Sequence, residues 1–212
     1  MTGEERSRLR AGLDASERAL LDALRGLDDD TARGPSALPG WCRGHVLTHI
    51  ARNAETITDA LDAVRRGEVR AMYDGDLEAR SAGIEAGAGR PAVELVADVE
   101  ATTTALRQRL AALTDSEWTG QIKSPRDGSL LSVETVVGMR WQEVEIHRLD
   151  LDLGYRPADW PEAFVQHNLA RQLERLPERA TGVPMPDLPP RDVLAWLYGR
   201  GAADLPELPP WP

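Results

Sequence analysis

The segment Trp141–Asp150 has the sequence WQEVEIHRLD, with charges where a buried helix would carry apolar residues. Side chains three and four positions apart share one face of a helix, and a bundle helix presents apolar residues to its core at this spacing. A buried charge is costly unless it is paired or bound to a metal, so a charged stripe predicts a functional site. The stripe comprises Val136, Arg140, Glu143, His147 and Asp150.

Four segments within residues 4–153 have the apolar period of amphipathic helices. Joined by loops, they predict an all-α fold built on a four-helix bundle. Segment 28–40 is expected to be a linker, and 119–131 a turn or small hairpin. Segment 67–90 has no clear period apart from a short helix near 77–84. The four bundle helices are expected over 4–27, from Trp41 to about Arg66, from Pro91 to about Leu113, and from Ser132 to about Leu153.

The chain changes character after Gly154, where proline becomes frequent. Helices are expected over 161–176 and 191–199, separated by TGVPMPDLPP and followed by a tail too rich in proline for regular structure. We therefore predict a bundle over residues 1–155 and a short, mostly helical C-terminal extension over 156–212.

Composition limits the classes of function. The chain has 25 Lys and Arg against 35 Asp and Glu, a net charge of −10 that disfavours binding to nucleic acid or to an anionic membrane. No apolar run is long enough for a transmembrane helix, and the charged N-terminus lacks the apolar core of a signal peptide. A single cysteine, Cys42, precludes an internal disulfide and fits a cytoplasmic location.

Glu143 and His147 are one helical turn apart, so their side chains can converge on one ion. A third ligand must come from another helix, and His49 lies on the inner edge of the predicted second helix. Two imidazoles and a carboxylate, with positions left open, are typical of a catalytic metal site. Zinc fits these ligands, while iron, nickel and manganese stay open. The same inner edge carries Cys42, His45, Asn53 and Thr56.

The flanking residues allow several interpretations. Asp150 could accept the second ring N–H of a ligand histidine, and Arg140 could pair with Asp150 or Glu143. Both His45 and His49 could instead be partly exposed helix histidines. Cys42, near a helix N-terminus, could be a nucleophile, an extra ligand or a small packing residue.

Two segments together carry a resemblance to a known family: WCRGHVLTHIARNAE at 41–55 and MRWQEVEIHRLDL at 139–151, with LYGRG at 197–201 as a shorter match. The chain resembles the mycothiol-dependent maleylpyruvate isomerase family of the DinB-like metal-binding superfamily. This resemblance implies a DinB-like four-helix bundle holding a divalent metal, usually zinc. The implied ligands are His49, Glu143 and His147, whereas His45 does not fall on a ligand position.

The resemblance also implies two catalytic arginines. One matches Arg80 in Glu78-Ala79-Arg80, and the other matches Arg200 in a Gly-Arg-Gly context. Each could instead be a surface residue. The sequence departs from the family after residue 155, where the family has a further α/β domain and this chain is expected to have a shorter segment. Residues 177–190 show no alternating strand pattern.

The implied reaction uses mycothiol as a thiol cofactor or co-substrate. Its thiolate adds to the cis double bond of a maleylpyruvate-like acid, the bond rotates, and elimination leaves the trans isomer. Arginines would suit such a substrate because they bind carboxylates through two hydrogen bonds. The expected partners are a small-molecule substrate and a low-molecular-weight thiol, and the chain could be a monomer or a homodimer.

Two other functions stay open at this point. The activated thiol could remain attached to an electrophile, which would make the protein a mycothiol S-transferase. Alternatively, the bundle could be a non-catalytic metal-binding module.

Overall fold

The structure is a computed structural model that describes residues 1–209, and its first compact unit is Met1–Leu153. Within it, α1 and α3 each contact both α5 and α7, which encloses one core between four long helices. The predicted all-α four-helix bundle is therefore confirmed. In chain order, the unit contains α1 (Gly3–Ala23), α2 (Asp29–Arg33), α3 (Arg43–Arg65), a 3-10 turn (Met72–Gly75), α4 (Leu77–Ala88), α5 (Ala92–Ala111), α6 (Asp115–Trp118), β1 (Gln121–Lys123), β2 (Leu130–Ser132) and α7 (Val133–Asp150).

The long helices begin at capping residues and bury apolar stripes. Thr2 and Glu5 form a reciprocal capping box at the start of α1. Ser132 caps α7 by accepting a hydrogen bond from the Thr135 N–H at 3.1 Å. Burying one large apolar side chain contributes about 1.5–3 kcal/mol, so these stripes dominate the stability of the bundle. The fully buried apolar residues include Leu13, Leu20, Val46, Ile50, Leu61, Val99, Leu106 and Val144.

Several predicted boundaries were wrong. The expected linker over 28–40 contains α2, which Asp28 caps by accepting from the Thr31 N–H at 2.7 Å. Helix α1 ends at Ala23 rather than near 27. Helix α7 ends at Asp150 rather than near 153, because the chain turns through positive φ at Asp152 and Gly154.

Segment 67–90 is more ordered than its sequence predicted. Helix α4 covers Leu77–Ala88 and lies against α3. The two helices approach so closely that a Cβ on Gly44 would lie 2.1 Å from the carbonyl oxygen of Ala88. A Cβ on Gly87 would lie 2.5 Å from the Thr48 side chain. Because contact is made through small residues, α4 lacks the apolar period that reveals the other helices.

The hairpin expected within 119–131 is present. Strand β1 pairs with β2 in antiparallel register, with Ile122 opposite Leu131. Among residues 1–209, no helix is both long and apolar enough to cross a membrane.

A second compact unit begins at Gly154. It contains α8 (Glu162–Arg179) and α9 (Pro190–Leu197), close to the two helices predicted there. Their packed core comprises Leu176, Val193, Trp196 and Leu197. The proline-rich tail has no helix or strand up to residue 209, and its last three residues lie outside the described part of the chain.

Candidate metal centre

Three side chains from two neighbouring helices meet at one point. The Nε2 atom of His49 on α3 lies 2.8 Å from Oε2 of Glu143 and 2.9 Å from Nε2 of His147, both on α7. The ligating atoms of the three residues all lie within 4.8 Å of one another. We call these three residues the ligand cluster. In residues 1–209 it is the one group of at least three His, Cys, Asp or Glu side chains with this geometry.

The cluster is buried on one side and open on the other. His49 is 3% exposed and His147 is 7% exposed, whereas the side chain of Glu143 keeps 19% of its surface accessible. The expectation of partly exposed helix histidines is therefore wrong for His49. A shielded set of ligands with one accessible carboxylate leaves room for water or a substrate, as a catalytic metal site requires.

Asp150 fixes the orientation of His147. Its Oδ2 lies 2.8 Å from Nδ1 of the imidazole and is buried with it. A carboxylate only accepts, so the neutral ring places its proton on Nδ1 and leaves the lone pair of Nε2 directed into the cluster. This is the arrangement in which a carboxylate orients a metal-ligating histidine, and the residues present therefore fit a divalent metal.

The structure brings Arg80 to the same place. Its guanidinium lies at the start of α4 and donates to Nδ1 of His49 at 3.1 Å. The guanidinium carbon also lies 5.3 Å from the ring centre of Tyr73. Arg200 belongs to the second unit, where it donates to the carbonyl of Tyr198 at 2.9 Å. Its predicted catalytic role stays a prediction.

The metal-free cluster has unequal proton affinities. Burial, followed by the nearby charge of His147, lowers the pKa of His49 to about 4. Burial also opposes the charged form of His147, but its contacts with Asp150 and Glu143 raise its pKa to about 9. Burial opposes the Glu143 carboxylate as well, yet its hydrogen bonds to His147 and His49 hold its pKa well below the usual range. The proton near neutral pH therefore lies on His147, and a metal must displace it.

Residues 13–152 match the sequence profile of the mycothiol maleylpyruvate isomerase N-terminal domain. The chain belongs to this family. The comparison with curated proteins finds no match.

Two crystal structures have the same fold as this member of the family. One is the mycothiol-dependent maleylpyruvate isomerase and the other is a histidine-to-alanine variant of that enzyme, with TM-scores of 0.83 and 0.82. Each is 22% identical and covers 100% of this chain and 98% of the solved one. At 22% identity, the similarity to these two structures establishes only the fold of this chain. Because nearly all of each solved chain is covered, the comparison gives no support to a shortened C-terminal region.

Within this family member, Arg140 does not join the ligand cluster. The prediction that it pairs with Asp150 or Glu143 is wrong, because its guanidinium contacts Glu17 of α1 at 3.1 Å. It also donates to Asn53 Oδ1 at 3.0 Å. Both charged side chains are fully buried, and burial, opposed by Arg140, raises the pKa of Glu17 to about 7. We call Arg140, Glu17 and Asn53 the Arg140 cluster.

Sequence reasoning missed Glu17 and Tyr73. Glu17 had a usable signal, since it lies four residues after Leu13 and three before Leu20 on the apolar stripe of α1. Tyr73 had none, because its position depends on a backbone with φ of 53° that a tyrosine rarely adopts.

Cys42 lies outside the ligand cluster. Its Sγ is 3.0 Å from Nδ1 of His45, whose Nε2 is 3.1 Å from Oε2 of Glu85. The alternative in which Cys42 is an extra ligand is not matched by the geometry, since the cluster forms without it.

Proposed function

We propose that this protein is an isomerase that uses mycothiol to convert a cis unsaturated keto acid of the maleylpyruvate type into its trans isomer. The observation that carries the proposal is the convergence of His49, Glu143 and His147 with Arg80 at their edge. Membership of the mycothiol maleylpyruvate isomerase family supports the choice of thiol and substrate class.

The ligand cluster would hold a divalent metal through Nε2 of each histidine and a carboxylate oxygen of Glu143. Two nitrogens and one oxygen with an open side suit zinc best. When bound, such an ion lowers the pKa of a thiol or water in its open position. Asp150 keeps the Nε2 lone pair of His147 directed inward, so this ligand is oriented before a metal arrives.

Arg80 is suited to binding the substrate. Its guanidinium can form two parallel hydrogen bonds with a carboxylate and would hold the acid beside the cluster. Correct placement matters because a small displacement of the reacting atoms costs much of the rate. The thiol supplies a nucleophile whose reversible addition removes the double bond, permits rotation, and ends in elimination of the same thiol. The electron count is restored, so no oxidant or reductant is needed.

The direct test combines zinc-loaded protein, mycothiol and maleylpyruvate, with the products followed by NMR. We expect catalytic formation of the trans isomer and full recovery of free mycothiol. Glu143→Gln, which removes one ligand charge, should abolish turnover, while Glu94→Gln on exposed α5 surface should not change it. Accumulation of an S-conjugate would replace the isomerase proposal with the S-transferase. Absence of any chemical change would favour the non-catalytic metal-binding module.

Arg200 completes the proposal as the second substrate-binding arginine implied by the family resemblance. We expect Arg200→Gln to raise KM for the acid, whereas Arg171→Gln, at an exposed position of α8, should not. Equal KM values for the two variants would remove Arg200 from the site. The thiol and the single cysteine fit a reducing compartment, and we place the reaction in the cytoplasm.

A further inference from the structure

Tyr73 is held beside the ligand cluster by an unusual backbone. Tyr73 and Asp74 both have φ of 53°, within the left-handed region that is strained for a non-glycine residue. The conformation is fixed by two contacts: the Tyr73 N–H donates to Thr56 Oγ1 at 2.6 Å, and Asp74 pairs with Arg70 at 2.8 Å. The partly buried tyrosine ring thereby lies against Arg80.

The orientation of the Asn53 amide can be assigned by chemistry. A guanidinium only donates, so the atom of Asn53 that faces Arg140 must be the amide oxygen. The amide nitrogen therefore faces the other way, where it lies 3.4 Å from the Tyr73 hydroxyl. Asn53 is 4% exposed and donates to the phenol oxygen.

Because Asn53 donates to the phenol oxygen, the phenol proton is left for another acceptor. Arg80 can only donate, so it cannot accept this proton. Within residues 1–209 no hydrogen bond runs from the Tyr73 hydroxyl to a protein acceptor, although the Glu143 carboxylate is close enough to act on the phenol electrostatically. The phenol oxygen already accepts a hydrogen bond, but the phenol proton is not donated to any protein atom in the described part of the chain. Such a hydroxyl is available to donate to a bound ligand.

Among the described residues, one cation beside Tyr73 has no carboxylate partner. Tyr73 and Arg80 line a cavity of about 230 Å³ whose other charged residues are paired. These residues are Arg52, Arg70, Glu55, Asp59 and Asp74. Arg52 pairs with Glu55 and with Asp98 outside the lining, and Arg70 pairs with Asp59 and Asp74. Arg80 has no carboxylate partner in the described chain, since its contacts are with His49 and Tyr73. One guanidinium without a counter-ion and one hydroxyl proton without an acceptor are complementary to a carboxylate.

From these contacts, we infer that Tyr73 is a ligand-binding residue that donates its hydroxyl hydrogen bond to a carboxylate held by Arg80, and that Asn53 positions it. The inference rests on the proposed function for the identity of the acid. Its geometry extends the site from the ligand cluster through Tyr73 and Asn53 to the buried Arg140.

The first experiment measures binding of maleate, a cis dicarboxylate, to the zinc-loaded protein by calorimetry. Tyr73→Phe keeps the ring against Arg80 and removes only the hydroxyl. We expect its Kd to rise about tenfold to hundredfold, as for loss of one hydrogen bond to a charged group. Tyr155→Phe removes a phenol hydroxyl from the second unit and should leave the Kd unchanged.

The second experiment tests whether Asn53 acts through Tyr73. Asn53→Ala should weaken maleate binding in the wild-type background but add nothing in the Tyr73→Phe background, because the hydroxyl that it orients is gone. If Asn53→Ala raised the Kd for maleate by the same factor in both backgrounds, the positioning role of Asn53 would be overturned.

Three results would overturn the inference about Tyr73: an unchanged Kd in Tyr73→Phe, loss of zinc from that variant, or failure of wild-type protein to bind maleate. Binding does not require turnover, so the proposed isomerase is tested separately. If maleate binds through Tyr73 and no isomerisation occurs, the inference stands and the proposed function fails.

Discussion

Helix α7 contributes to two buried charged clusters on successive turns, and the two clusters combine different kinds of chemical groups. In the Arg140 cluster, a donor-only guanidinium faces acceptors: the carboxylate of Glu17 and the amide oxygen of Asn53. In the ligand cluster, atoms that can all bind a cation meet at one point, with Nε2 of His49 only 2.9 Å from Nε2 of His147.

The difference separates structural charge from functional charge. The Arg140 cluster pairs a donor with acceptors, one of them of opposite charge, although Arg140 Nη2 and Glu17 Oε2 are buried without a hydrogen-bond partner in the described chain. In the metal-free ligand cluster, one proton lies on His147 beside the Glu143 carboxylate, and a bound cation would take the place of that proton. Both clusters break the apolar stripe of α7, and only their partners on the other helices distinguish them.

The largest effect is expected from breaking the Arg140 cluster. Arg140→Met leaves Glu17 buried without its counter-ion, and we expect the free energy of unfolding to fall by about 3–5 kcal/mol at pH 8. Denaturant-induced unfolding of the metal-free protein measures this change in the free energy of unfolding. Arg18→Met, on the exposed face of α1, is the control and should change stability by about 0.5 kcal/mol or less. A loss below about 1 kcal/mol, typical of a surface ion pair, would contradict a structural role.

The next effect comes from the ligand cluster and should appear in metal binding. Structural zinc sites with four ligands bind with about 10–16 kcal/mol, or roughly 2.5–4 kcal/mol for each ligand. Glu143→Gln should therefore weaken zinc binding by about a hundredfold to a thousandfold, measured by chelator competition. The same variant should destabilise metal-free protein less than Arg140→Met does. If metal-free Glu143→Gln were less stable than metal-free Arg140→Met, the proposed distinction between the two clusters would be wrong.

Asp150 should have a smaller effect because it acts through His147. Asp150→Asn removes the charged acceptor of the Nδ1 proton, and we expect zinc affinity to fall about tenfold to hundredfold. Asp152→Asn is a matched control two residues later, since Asp152 is exposed and asparagine tolerates its φ of 52°. Equal zinc affinities for the two variants would show that Asp150 does not support the ligand.

The smallest effect is expected in the change of zinc affinity for each unit of pH. His147 has a pKa of about 9 without metal, mainly through Asp150 and Glu143 acting against burial. Below that value zinc must displace one proton, so affinity should fall by about tenfold for each unit of decreasing pH. His49, with a pKa of about 4, should add no proton near neutrality. Competition titrations from pH 6 to 8 measure the slope, and a flat profile would contradict the assignment.

Periodicity was enough to predict the bundle and to select the three residues that converge in the ligand cluster. The four long helices bury regular apolar stripes, and charges on such a stripe indicated Glu143 and His147. The same rule applied to α1 would have found Glu17, whose charge lies between Leu13 and Leu20.

Other parts of the site could not be predicted this way. Helix α4, which carries Arg80, contacts α3 through close approaches at Gly44 and Gly87 rather than through a regular apolar stripe. Tyr73 depends on a rare backbone conformation whose stabilising partner, Thr56, lies seventeen residues earlier. The positions of α4 and of Tyr73 depend on tertiary contacts, which a local sequence pattern does not reveal.

The contact between Arg80 and His49 has a thermodynamic consequence. A neutral imidazole carries one proton, and a metal on Nε2 places that proton on Nδ1, where Arg80 now donates. Two donors cannot face each other, so metal and Arg80 compete for His49. A carboxylate that draws Arg80 away removes this competition and strengthens metal binding. By reciprocity, the metal strengthens carboxylate binding by the same factor. If the proposed metal and acid both bind, they therefore share one coupling free energy, which acts through the two nitrogens of the His49 ring.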